Sequence, residues 1–126
     1  MADSDRLVHL TRGGGVIVAA VRAPAVDTGN AERLVEAVGP AIDAARGLRG
    51  LVLDLSSVGF LNSRGLAACI DLARRAEAAG AAAVACGLGP DLARMFEVMR
   101  VDRLLAIVPD VDAAREHLRR GTSGRD

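Results

Sequence analysis

Short apolar runs alternate with segments of helical periodicity along most of this chain, and this alternation restricts the fold more than any other feature. The clearest run is "LVLDL" at residues 51–55, whose almost unbroken apolar character is typical of a central strand covered on both faces. Three other β-prone runs are "VIVAAV" at 16–21, "AAAVAC" at 81–86 and "LLAIV" at 104–108. Strands that alternate with helices predict a mostly parallel sheet, because each helix carries the chain back to the edge where the next strand begins.

The segments between these runs have the apolar spacing of amphipathic helices. We predict four helices, which run from about 31 to 46, 63 to 79 and 90 to 99 and from 111 onward. In the first helix the apolar stripe stays in phase across Gly39 and Pro40, which therefore indicate a kink and not an end. Asp110 can cap the fourth helix. The predicted buried stripe of the third helix consists of Leu92, Met95, Phe96 and Met99.

The N-terminal part of the chain predicts an antiparallel hairpin, because "RLVHL" and "VIVAAV" flank the turn-forming "TRGGG". The following "RAPAVDTGN" is predicted to be a loop. The expected fold is therefore α/β, with a mostly parallel sheet, an antiparallel N-terminal hairpin and about four helices. We expect a single domain over residues 1–126, with a core over about 6–118 and a polar, flexible tail at 119–126.

The charge balance of the chain excludes some partners. The 16 acidic residues cancel 16 basic ones, all arginines, so neither nucleic acid nor an anionic membrane is expected to bind, whereas a homodimer is permitted. No apolar run reaches the roughly 20 residues of a membrane span, and no signal peptide is visible, so a cytoplasmic protein without membrane insertion is expected. Cys69 and Cys86 are interpreted as small buried residues, and His9 and His117 have no ligand spacing, so no metal site or cofactor is predicted.

The stretch "VGFLNSRGLAAC" follows the central strand and contains one hydroxyl group, that of Ser63. A nucleophilic serine needs a base, and His9 and His117 lie on the predicted edge hairpin and last helix, so a hydrolase is not supported. Two compatible interpretations remain. Ser63 can be structural, in the first turn of a helix capped by Asn62. It can also be a phosphate acceptor, because a phosphate there would meet free backbone N–H groups and the positive end of the helix dipole.

Three segments of the chain resemble one known family, and their order and spacing agree with it over about residues 6–118. They are "VIVAAVRAPAVDTGNAERLVEAV", "LVLDLSSVGFLNSRGLAACIDLARRAEAAGAAAVACG" and "LARMFEVMRVDRLLAIVPDVDAAREHL". The family is that of STAS domains, found in bacterial anti-sigma factor antagonists and in the cytoplasmic tails of sulfate transporters. The resemblance implies a STAS-like fold and a binding role in place of an enzymatic one.

The resemblance also implies a switch and the residues that operate it. In the antagonists, the first serine of a D-S-[ST]-G-L loop is phosphorylated by an anti-sigma factor that is also a serine kinase; this ends binding, and a phosphatase restores it. Ser63 matches that serine, and Gly65 with Leu66 matches the G-L that follows. Asp27 and Thr28 match the loop that helps to dock the partner. The implied partner surface consists of Asp27, Thr28, Asn62, Ser63, Arg64 and Gly65.

Two residues depart from the family pattern. Asn62 stands where the family has Asp, which removes a carboxylate beside the acceptor, and Arg64 stands where it has Ser or Thr. The Arg64 guanidinium could pair with a phosphate or with an acidic partner. Both departures favour a second hypothesis, a constitutive and unphosphorylated STAS subunit of a sensory assembly or an accessory subunit of a membrane transporter. A small-molecule or nucleotide-binding module is a third.

Overall fold

Strands and helices alternate in the structure, a computed structural model that describes residues 6–124. The strands are β1 (Val8–Gly13), β2 (Val16–Val21), β3 (Ala25–Val26), β4 (Gly50–Asp54), β5 (Phe60–Leu61), β6 (Ala82–Cys86) and β7 (Leu105–Val108). The helices are α1 (Ala31–Ala44), α2 (Ser63–Ala78), α3 (Pro90–Val98) and α4 (Val111–Gly124), with a 3-10 turn at Val101–Arg103.

One five-stranded sheet has the order β1-β2-β4-β6-β7, and β3 and β5 form a separate two-stranded ladder. β1 is antiparallel to β2, whereas the other neighbours in the large sheet are parallel. The predicted fold class is confirmed: a mixed sheet with an N-terminal antiparallel hairpin, surrounded by four helices.

The central strand is β4, as the "LVLDL" run predicts. Its residues Leu51, Val52 and Leu53 are fully buried, because helices cover the sheet on both faces. The parallel strands follow one another across the sheet in chain order, and right-handed connections then put α1, α2 and α3 on the same face. The opposite face packs on α4, which buries Ala114 and Leu118 against the β2, β4 and β6 valines. The loops that follow the strands are thereby left at the edge of the sheet.

The hairpin differs in detail from its prediction. Thr11, Arg12 and Gly13 belong to β1, and the turn is made by Gly14 and Gly15 alone. Both glycines have positive φ, +60° and +80°, which is the two-residue turn whose twist matches the flanking strands. At the other end, residues 6 and 7 are helical, whereas the sequence predicted them to begin the strand.

Three further predictions differ from the structure. The "RAPAVDTGN" segment is not wholly a loop, because it contains β3. Met99 is 58% exposed, not buried, because α3 ends at Val98 and Arg100 turns the chain away with a φ of 61°. α4 continues to Gly124 and so includes most of the segment predicted to be a flexible tail, whose last residues, 125 and 126, lie outside the described residues.

Candidate functional site

The candidate site lies at the carboxyl edge of the parallel strands, where the chain leaves β2 and β4. The small ladder pairs β3 with β5 and brings the two loops together, with Ala25 opposite Phe60 and Val26 opposite Leu61. The backbone N–H of Asn62 also donates to the Val26 carbonyl, at 3.3 Å. The structure therefore brings the two predicted groups of site residues, 27–28 and 62–65, to one place.

Asn62 holds the first turn of α2. Its Oδ1 accepts hydrogen bonds from the backbone N–H groups of Arg64 and Gly65, both at 3.0 Å, so the predicted N-cap is confirmed. Its Nδ2 points the other way and donates to Thr28 Oγ1 at 3.4 Å. One side chain thus caps the helix and ties it to the loop before α1.

That loop is organised by its own side chains. Asp27 Oδ1 accepts from the Gly29 N–H at 2.9 Å, and the Asp27 N–H donates to Asn30 Oδ1 at the same distance. Asn30 also donates from Nδ2 to the Ala25 carbonyl, at 2.9 Å. Asn30 precedes α1 but makes no side-chain cap for it, because its amide is engaged with the loop. The loop is therefore held in a defined shape beside Asn62.

Gly65 lets α2 approach β3 closely. A Cβ placed on Gly65 would clash with the Val26 carbonyl oxygen, well inside the van der Waals contact distance, and would lie 2.8 Å from the Val26 carbonyl carbon and 3.1 Å from Leu61 Cδ2. The backbones of α2 and β3 cannot move apart at this contact without opening the β3–β5 ladder. Gly65 is thus needed for the geometry of the site, whatever else it contacts.

Ser63 is the first residue of α2, and its side chain is exposed. Its hydroxyl makes no hydrogen bond within residues 6–124, and neither His9 on β1 nor His117 on α4 reaches it. The expectation of several free N–H groups around a phosphate is wrong, because Asn62 takes those of Arg64 and Gly65. In the described part of the chain, the Ser63 N–H is the first-turn amide left for an anion.

Cys69 and Cys86 are free, buried thiols, as predicted. Burial raises the pKa of Cys69 to about 12. Burial also raises the pKa of Cys86 to about 12, with smaller contributions from the carboxylates of Asp54 and Asp110. Because the thiolate is the reactive form, neither cysteine is a nucleophile near neutral pH.

We expect iodoacetamide at about pH 8 to leave both thiols unmodified in the folded protein and to label both in guanidinium chloride, as measured by mass spectrometry. Folding raises both pKa values from 9.0, so the folded state holds these protons more tightly than the unfolded state. The contribution of these thiols to the free energy of unfolding is therefore complete below about pH 9. It is lost as the pH rises toward about 12, because the unfolded thiols ionise first. Equal labelling rates in the folded and unfolded protein would contradict this assignment.

Asn62 offers a matched test of the cap. We expect Asn62→Ala to lower the free energy of unfolding by about 1 kcal/mol in urea denaturation, because two N–H groups lose their acceptor. Asn62→Asp keeps an acceptor oxygen and puts a negative charge at the positive end of the helix, so it should stay within about 0.5 kcal/mol of the wild type or exceed it. If both variants lose the same free energy of unfolding, the stabilisation by Asn62 comes instead from its hydrogen bond to Thr28.

Among residues 6–124, no cluster of three histidine, cysteine or acidic side chains is placed to hold a metal ion. Over the same range, no helix combines the length and apolar character needed to cross a lipid bilayer.

Comparison with known proteins identifies the family. The sequence model of the STAS domain matches residues 9–114. The chain belongs to the STAS domain family. The β3–β5 ladder, the Asn62 cap and Ser63 are therefore features of a STAS domain, and the resemblance drawn from the sequence is confirmed. A comparison with curated proteins finds no match.

Several solved structures have the same fold. An anti-sigma factor antagonist from Mycobacterium paratuberculosis is 29% identical, with a TM-score of 0.71 over 89% of this chain and 92% of that one. The Bacillus cell fate determinant SpoIIAA in its phosphorylated form is 14% identical, with a TM-score of 0.67 over 86% and 97%. The murine anion transporter Slc26a9 is 17% identical, with a TM-score of 0.74 over 86% of this chain and 18% of the transporter. The last two identities show a shared fold alone.

One residue of the site region was missed by the sequence analysis. Phe60 immediately precedes Leu61 in the chain, yet Phe60 is 54% exposed while Leu61 is buried. Alternation along a strand predicts that one of two adjacent apolar residues points outward, but it does not say which. The pairing of β5 with β3 decides it.

Proposed function

We propose that this STAS domain is an anti-sigma factor antagonist, controlled by phosphorylation of Ser63. The observation that carries the proposal is the position of Ser63, an exposed hydroxyl at the start of α2, beside the loop of Asp27 and Thr28. The 29% identity to an anti-sigma factor antagonist supports the general role. In this proposal the domain works by binding and not by catalysis.

The proposed partners are an anti-sigma factor that is also a serine kinase, and a phosphatase, all in the cytoplasm. Unmodified, the chain binds the anti-sigma factor through the surface around residues 27–28 and 62–65, and the sigma factor is released. A phosphate on Ser63 adds about −1.5 to −2 charges to a neutral protein, which changes the electrostatics of that surface without refolding the domain.

The test is a binding screen against the purified anti-sigma factor kinases of the source organism, each measured by isothermal titration calorimetry. The expected result is one kinase that binds the chain and, with ATP, transfers one phosphate to it. Mass spectrometry should find the phosphate on the wild type and not on Ser63→Ala. Labelling of both proteins to the same extent would reject Ser63 as the acceptor, and no binding to any kinase would reject the role.

A second candidate function is a constitutive STAS subunit of a sensory assembly or of a transporter. The observations that favour it are Asn62 and Arg64 at the acceptor loop and the structural likeness to part of an anion transporter. If this candidate is correct, the chain binds none of the kinases and copurifies with membrane or sensory complexes, with equal yield for wild type and Ser63→Ala.

A further inference from the structure

Phe60 is an exposed aromatic side chain beside the acceptor. It lies on β5, three residues before Ser63, and 54% of it is exposed. The other large apolar side chains exposed among residues 6–124 are Val98 and Met99, at 71% and 58%. They lie at the C-terminal end of α3. Because the helices run antiparallel to the parallel strands, this end is at the opposite edge of the sheet from the start of α2.

A groove of about 290 Å³ lies between α1 and α2, and Arg64, the residue that follows Ser63, is part of its lining. Its apolar lining consists of Ala31, Val35, Ala67 and Ala68. Ser63 and Ala67 are one helical turn apart on the same face of α2, so the acceptor stands at the head of the groove. The groove is small and open to solvent, and it lacks the buried, convergent polar groups that orient a small molecule. It therefore suits a protein side chain better than a small-molecule ligand.

Opposite charges flank the groove. Glu32 of α1 and Arg64 of α2 are exposed and lie on either side of it. Asp71, further along α2, is paired with Arg75 at 3.4 Å, whereas Glu32 and Arg64 form no ion pair with any of residues 6–120. A complementary partner surface would place a basic side chain near Glu32 and an acidic one near Arg64.

We infer that Phe60 and the α1–α2 groove are two apolar contacts that flank Ser63 and through which the anti-sigma factor docks. The partner inserts an apolar side chain into the groove and covers the Phe60 ring, with charged groups placed for Glu32 and Arg64. Aromatic side chains at the centre of an interface often dominate its affinity. Ser63 then lies between the two contacts, inside the area that the partner must desolvate. This inference rests on the proposed function.

The test measures the dissociation constant of each variant with the anti-sigma factor found in the binding screen, using the full chain. Phe60→Ala should bind about 30-fold more weakly, and Ala67→Gln, which fills the groove without a charge, about 10-fold more weakly. The matched controls are Met99→Ala, at the far edge, and Ala78→Gln, an exposed alanine at the other end of α2; both should stay within about twofold.

The outcomes separate this inference from the proposed function. If the wild type binds and both Phe60→Ala and Ala67→Gln bind with the same affinity, the docking surface is overturned and the antagonist role is left intact. Losses as large in Met99→Ala and Ala78→Gln would overturn it as well, because the effect would not belong to this surface. Absence of wild-type binding would overturn the proposed function and the inference together. Thermal unfolding of each variant should match the wild type, since all four positions are exposed.

Discussion

Phosphorylation of Ser63 is expected to weaken binding of the anti-sigma factor by at least about 100-fold, as measured by calorimetry with the phosphorylated and unmodified chains. The physical reason is that few hydrogen-bond donors of the site are left to compensate the new charge. Asn62 occupies two of the first-turn N–H groups, and the Asn62 amide donates to Thr28. A phosphate that enters an interface with few donors loses its hydration, and an unpaired buried charge costs several kcal/mol.

Two variants serve as controls for this effect. Ser63→Ala removes the acceptor, whose hydroxyl makes no hydrogen bond within residues 6–124, so this variant should bind within a few-fold of the wild type and stay bound in the presence of ATP. Ser63→Asp carries about one charge in place of about two and should weaken binding by about 10-fold. Arg64→Ala should make the phosphate effect larger, because the guanidinium of the residue next to Ser63 in the chain is then absent. Equal affinity for the phosphorylated and unmodified chains would disprove the electrostatic account.

Gly65→Ala is expected to lower the free energy of unfolding by about 2–4 kcal/mol and the midpoint of thermal unfolding by on the order of 10 °C. The added methyl group would collide with the Val26 carbonyl and lie 3.1 Å from Leu61 Cδ2. The helix can relieve the contact only by separating from β3. The intrinsic gain of replacing a helical glycine by alanine, about 0.5–1 kcal/mol, is too small to offset this.

The matched control is Gly13→Ala. Gly13 lies on β1, and a Cβ there meets no atom within 4 Å. Its stability should change by less than about 0.5 kcal/mol in the same urea denaturation series. Gly65→Ala should also lose affinity for the anti-sigma factor under conditions where it remains folded, because the start of α2 carries Ser63. A stable Gly65→Ala protein with wild-type unfolding would show that the close approach to Val26 contributes nothing.

Much of the fold could be predicted from the sequence because local rules determine it. The apolar run at 51–55 identified the central strand, and the helical periodicity before and after it located α1 and α2 to within about two residues. Capping chemistry was equally local. Asn62 caps α2, and the Ala113 N–H donates to Asp110 Oδ1 at 2.8 Å at the start of α4.

The candidate site was predicted only in part. The family resemblance indicated Ser63 and the residues around it, but the number of N–H groups open to a phosphate depends on where the Asn62 amide points. Met99 was expected in the core because the helical phase was extended past Val98, where α3 ends, and the left-handed Arg100 then turns the chain away. Phe60 was missed because adjacent apolar residues do not reveal which of them faces outward.

The sequence by itself determined the order of the five main-sheet strands and the four helices, the identity of the central strand and the caps of α2 and α4. Each of these depends on residues within about four positions of one another. Only the tertiary structure decided how the site is assembled. Asn62 and Thr28 are 34 residues apart in the chain and meet because β3 pairs with β5. That pairing also turns Phe60 outward and leaves no room for a side chain at Gly65. These properties belong to contacts between distant segments, which no local pattern specifies.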